Sequence, residues 1–133
     1  PPLVFDFNSV VVSIGGSREQ ARRVVAKFRD NASALLADIH MAAKRRDANA
    51  VRLAAHALKG ACGYVGASAL RADAMALEHA ARTAFERDTL LEFEPHLVRL
   101  QAEFHVLVCE LDRFLALSHH DRGADAVSVP MLP

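Results

Sequence analysis

The sequence predicts an all-α fold, an up-and-down four-helix bundle with a short N-terminal capping helix. Apolar residues recur at steps of three and four along four long segments, and those segments are rich in alanine, leucine, arginine and glutamate. The connections between them are short and carry turn or capping residues, which favours antiparallel neighbours. Strand signals are confined to the run Val10 to Val12.

A first short helix is expected over about Phe7 to Ser13, ending at Gly15-Gly16, where glycine can supply left-handed geometry. Ser17 opens the second helix, and Gln20 three positions later has the spacing of a capping box. Its inward stripe reads Ala21, Val24, Phe28, Ala32, Leu35 and Ile39, to an end near Ala43. Lys44, Arg45 and Arg46 then suit the negative end of the helix dipole, and Asp47 can cap the third helix, Ala48 to Val65. Gly66 terminates it. Ser68 begins a fourth helix with the narrow stripe Leu70, Ala74, Leu77 and Ala81. The last helix carries Leu97, Leu100, Phe104, Leu107, Leu111 and Phe114; Pro95 stands either in its first turn or at a kink in a helix begun near Thr89.

A chain of 133 residues fits one domain, here residues 1–118, followed by a loose tail, 119–133, that mixes Gly, Asp, Ser and two prolines without periodicity. It opens Pro1-Pro2 without an initiator methionine, as an excised piece of a longer protein would. Sixteen basic residues balance sixteen acidic ones, so the basic excess of a nucleic-acid binder is missing. No apolar run approaches the roughly 18 residues of a membrane span, which together with the absence of a signal peptide points to a cytoplasmic segment without membrane contact. Cys62 and Cys109 lie far apart among apolar neighbours, as two reduced core thiols would.

On a wheel of about 100° per residue, Val51, Ala55, Leu58, Cys62 and Val65 of the third helix share a core stripe roughly 80° wide. Arg52, His56, Lys59, Gly60 and Gly63 fall on the other side, with His56 about 150° from the stripe's centre. A wet histidine alone means little. Its neighbours mean more: Gly60 and Gly63, one and two turns on, each cost about 1 kcal/mol relative to alanine inside a helix. Two missing side chains clear the approach of a large partner to the imidazole, and Arg52 and Lys59 supply positive charge for an anion such as a phosphoryl group.

The run HALKGACGYVGASAL, His56 to Leu70, resembles the signature of histidine-containing phosphotransfer (HPt) domains: His, an aliphatic two positions on, Lys-Gly, small residues, then Gly-Ala and a leucine. The likeness extends more loosely from FDFNSVVVSIGGSREQ to the Leu77-Glu78 pair and the last helix. It implies that His56 is the phosphoacceptor, that Lys59 sits close to the phosphate, and that Gly60 leaves space for the partner. It also implies that Glu78 holds the ring nitrogen that is not phosphorylated. The wheel permits this, since Glu78 lies about 70° off its helix's buried stripe. The implied function is a histidine phosphocarrier in a two-component phosphorelay, exchanging a phosphoryl group with the aspartate of a response-regulator receiver domain. A histidine kinase in the same chain is a further implied partner, as in hybrid sensor kinases. With no glycine-rich nucleotide loop and no convincing metal cluster, the domain should hold no cofactor, and the Mg2+ is expected on the receiver.

Three other readings compete. An HPt-like bundle could dock proteins without being phosphorylated, although His56, Lys59 and Gly60 are intact. The seven histidines suggest a metal-binding bundle, but the Glu-x-x-His repeats of such sites are missing and Glu92 with His96 is a weak substitute. A purely structural bundle leaves the two glycines beside a wet histidine without a reason.

Overall fold

The computed structural model describes residues 6–87 and 92–120. Among them are five helices and no strand: α1 (Phe7–Ser13), α2 (Arg18–Lys44), α3 (Ala48–Val65), α4 (Ser68–Arg87) and α5 (Glu94–His120). The valines of Val10 to Val12 are helical: Val10 is buried and Val12 exposed, a division that suits a helix, where positions two apart lie on nearly opposite sides, and not a strand, which would turn both to one face.

Each boundary has a local cause. After α1 the backbone turns through Gly15 and Gly16, both at positive φ (92° and 95°). The Ser17 hydroxyl accepts the Gln20 N–H at 3.2 Å and opens α2. The reversal after α2 passes through Arg46, at φ 59°, and Asp47 then caps α3 by accepting the Ala50 N–H at 3.1 Å. Gly66 ends α3 in the left-handed region at φ 68°. Phe93 is not helical and α5 begins at Glu94, so Pro95 sits in the first turn, where its missing N–H costs no helix bond; an earlier start near Thr89 lies outside the described residues. The expected tail falls mainly outside them as well.

The four long helices pack in a ring, α2 on α3, α3 on α4, α4 on α5 and α5 back on α2, with short connections that make neighbours antiparallel. The pair α3 and α4 makes the most extensive contact. Inward stripes of Val51, Leu58 and Val65 on α3, Leu70, Ala74, Leu77 and Ala81 on α4, and Leu100, Leu107 and Leu111 on α5 fill the middle. On α2 the buried stripe runs through Val25 and Leu36; Val24 and Leu35, expected inside, are half-buried at its edge. Ala21, Phe28, Ala32 and Ile39 are buried as expected, so the helix keeps its phase, and Val24 and Leu35 pack against the core from the margin of the stripe.

The short α1 closes the end where α2 begins and α3 and α5 finish. The Phe7 ring packs on the Phe114 ring with centroids 4.4 Å apart, the Arg18 guanidinium lies 5.2 Å from the Phe7 centroid, and Asp6 N–H donates to the Val65 carbonyl at 3.1 Å. A fork from Arg29 to the Asp112 carboxylate, at 2.6 and 3.2 Å, ties α2 to α5 on the surface.

Candidate functional site

The core stripe of α3 consists of Val51, Ala55, Leu58, Cys62 and Val65, all buried, which turns the opposite face outward. His56 stands on that face with 63% of its side chain exposed. Gly60 and Gly63 follow it, and a Cβ added to either would meet nothing within 4 Å. The helix tolerates these glycines without using them for packing: the space they leave opens to solvent.

On the neighbouring helix, Leu77 is fully buried and Glu78 follows it at the edge of the core, where it is the buried charged residue among those described. Burial of a carboxylate is costly unless it is paired. Three donors meet it. His56 Nδ1 lies 2.8 Å from Oε2, Lys59 Nζ lies 2.8 Å from Oε1, and Arg82 Nη2 lies 3.3 Å from Oε2. Lys59 and His56 come from α3 at a three-residue spacing, and Arg82 is one turn beyond Glu78 on α4. The hydrogen bond from Lys59 holds the Glu78 carboxyl below its ordinary range, against the opposing effect of burial, with the His56 bond and the charge of Lys59 adding to the lowering.

An ionised carboxylate only accepts hydrogen bonds, so the partner nitrogen must donate: the proton of His56 sits on Nδ1. In the neutral ring Nε2 then carries the lone pair, and it has no protein partner among the described residues. The arrangement is a nucleophilic nitrogen presented outward, its ring oriented from behind by a carboxylate that is itself fixed by two cations.

Of the residues singled out in the sequence, His56, Lys59 and Glu78 are brought together, and Gly60 and Gly63 border them. Arg52 is turned the other way: its Nε and Nη2 donate to Asn49 Oδ1 at 3.1 and 2.8 Å, and it makes no hydrogen bond to His56 or Glu78 among the described residues. Lys59 is engaged with Glu78 and does not stand free. Arg82 escaped the sequence reading; its i,i+4 spacing from Glu78 was the available signal.

Cys62 is buried in the core, and burial pushes its thiol up to about 12. Cys109, expected in the core as well, is exposed on α5, because the buried stripe there passes through Leu107 and Leu111 and leaves position 109 outside. Among the described residues no three His, Cys, Asp or Glu side chains are grouped to hold a metal, and no helix is long and apolar enough to cross a membrane.

Comparison with known proteins bears on the family and the fold. No curated protein gives a significant sequence match. Among solved structures, histidine-containing phosphotransfer protein B (HptB) of Pseudomonas aeruginosa PAO1 superposes with a TM-score of 0.75 at 20% identity, over 87% of this chain and 97% of that one. The HPT domain of a sensor hybrid histidine kinase from Shewanella gives a TM-score of 0.70 at 18% identity, over 86% and 95%. Identities this low establish a shared fold. The family model for the Hpt domain matches residues 23–115, a span that includes His56, Lys59, Glu78 and Arg82 and most of the four-helix ring. The chain therefore belongs to the Hpt domain family, the histidine phosphotransfer modules of phosphorelays.

Proposed function

We propose that His56 is the phosphoacceptor and that this domain carries a phosphoryl group between receiver-domain aspartates. The observation that carries the proposal is the exposed imidazole whose Nδ1 is held at 2.8 Å by the buried Glu78, leaving Nε2 open. In the transfer, the Nε2 lone pair attacks the phosphorus of a receiver aspartyl phosphate, the Nε2–P bond forms, and the P–O bond to the aspartate breaks. The aspartate leaves as a carboxylate. No proton is lost: Nδ1 keeps its hydrogen, the ring takes on positive charge, and Glu78 lies where that charge develops. Return of the phosphoryl group to a second receiver is the same step reversed.

The domain contributes orientation and electrostatics. The Mg2+ that neutralises the phosphoryl oxygens belongs to the receiver, and the sequence carries no glycine-rich nucleotide loop, in keeping with a carrier that is not a kinase. The open face at Gly60 and Gly63 admits the receiver, and Lys59, one turn from His56 on the same helix, can turn from Glu78 to the arriving phosphoryl group. Such an exchange takes place in the cytoplasm, with a free receiver or with modules of a hybrid sensor kinase joined to this one.

The test is phosphotransfer from a cognate receiver, phosphorylated and supplied with Mg2+. His56 should take an acid-labile, alkali-stable label. Equal labelling of His56→Gln would reject the assignment.

A further inference from the structure

An ionised Glu78 can only accept, which fixes the proton of His56 on Nδ1. A protonated Glu78 could also donate to Nδ1, and the ring would then carry its own proton on Nε2, the nitrogen that has to attack. Keeping a buried carboxyl ionised is a task for neighbouring cations, and two are present. Lys59 takes Oε1 at 2.8 Å, and its side chain is 24% exposed; Arg82 takes Oε2 at 3.3 Å and is about half exposed. They approach from different helices and occupy different oxygens, so neither needs to be displaced for the other to act.

Resting on His56 as the acceptor, we infer that Arg82 is a positioning residue for the transfer: it shares with Lys59 the holding of Glu78 on Nδ1 of His56. It is the holder that stays on the carboxylate when Lys59 turns its ammonium to the arriving phosphoryl group. The geometry makes the exchange consistent. Lys59 stands one helical turn from His56 on the same helix, and its ammonium is a compact charge on a flexible stem that can change partners. Arg82 approaches from α4, on the oxygen that already receives Nδ1. An unpaired buried carboxylate would be strongly unfavourable during that exchange, and Arg82 prevents it.

The experiment is a double-mutant cycle with Arg82→Met and Lys59→Met, read in two ways on folded protein, with thermal melts as the control. The first readout is the tautomer of His56 by 15N imidazole spectroscopy on the unphosphorylated full chain, which does not depend on whether His56 is the acceptor. Each single variant should retain mostly Nδ1–H. The double variant should shift toward the Nε2–H form. The second readout is the receiver-to-domain transfer rate. Arg82→Met alone should slow it about two- to fivefold, the size expected of a half-exposed ion pair, with rescue by Arg82→Lys. The double variant should lose more than the product of the two single losses. A double variant that keeps the full Nδ1–H tautomer, or one no slower than Lys59→Met, overturns the role of Arg82. Labelling of His56→Gln would instead sink the acceptor assignment while leaving the tautomer result standing.

Discussion

His56 Nδ1 and Glu78 Oε2 lie 2.8 Å apart, although 22 positions separate them in the chain and they belong to different helices. The bond joins an exposed side chain to a buried one. It therefore converts the position of the core into the orientation of a surface imidazole.

That bond predicts an order of activities. In Glu78→Gln the carboxamide oxygen can still accept from Nδ1, so the tautomer survives while the charge is lost; in Glu78→Ala both are lost. Transfer rates should fall in the order parent, Gln, Ala, with Ala slowed by roughly ten- to a hundredfold if orientation dominates. A Gln variant as slow as the Ala variant would mean that charge, and not tautomer, is the decisive contribution.

The same carboxylate should mark the acid limb of stability. Its folded-state ionisation is shifted downward, chiefly by the Lys59 hydrogen bond, so its contribution is fully present above the ordinary value of 4.5 and is lost as pH falls through the lower folded value. The stability gap between the parent and Glu78→Gln, from urea melts, should thus be constant near neutrality and narrow below about pH 4.5. Asp73 should show the opposite slope. Burial raises its carboxyl despite Arg99 and His96, so Asp73→Asn should gain relative to the parent as pH rises through the carboxylate range.

Two glycines, one inside α3 and one just past its end, should respond in opposite directions. Gly60 is helical with open space where a Cβ would go, so Gly60→Ala should stabilise by up to about 1 kcal/mol. Gly66 is left-handed at φ 68°, and a Cβ there would lie 3.3 Å from that of Asp6, so Gly66→Ala should cost about 1–2 kcal/mol. Thermal melts of the two variants settle the signs.

Function and stability should part at Gly60. Gly60→Gln should fold as well as the parent, since the side chain enters solvent, yet transfer should drop steeply because the receiver must bring the phosphorus of its aspartyl phosphate within about 3 Å of Nε2. A normal rate would show that the receiver approaches from elsewhere.

The thiols give a check on packing. Cys109 is exposed and should react with a disulfide reagent at once, whereas Cys62, pushed up to about 12 by burial, should react only when the protein unfolds. Two fast thiols in the native protein would contradict the buried face of α3.

Much of this was legible in the sequence because it depends on local rules. Ser17, Asp47 and Gly66 are helix-end signals, and the α3 core stripe follows from spacing alone. The outward face with His56, Gly60 and Gly63 is its complement. What escaped depends on distance in space. A wheel could put Glu78 at an edge but could not bring Lys59 to its second oxygen or show that Arg82 completes the set. Arg52 looked equivalent to Lys59 by charge and face, and only its fork onto Asn49 separates the two. Cys109 was placed inside by its apolar neighbours, although the stripe through Leu107 and Leu111 leaves that position outside, and Val24 sits at the margin of a stripe that passes through Val25.

The alanines that α4 turns inward have an effect at the surface. The gap between two packed helices is set by the side chains between them, and the small Ala74 and Ala81 let α4 approach its neighbours closely. The interior thus acts as a spacer gauge for a bond it does not touch. A larger residue at Ala74 could leave every atom of the His56 face unaltered and still detune the imidazole by widening the gap. Conversely, structures only 18–20% identical to this chain share its fold. A spacing of this kind can be supplied by many different sets of interior side chains.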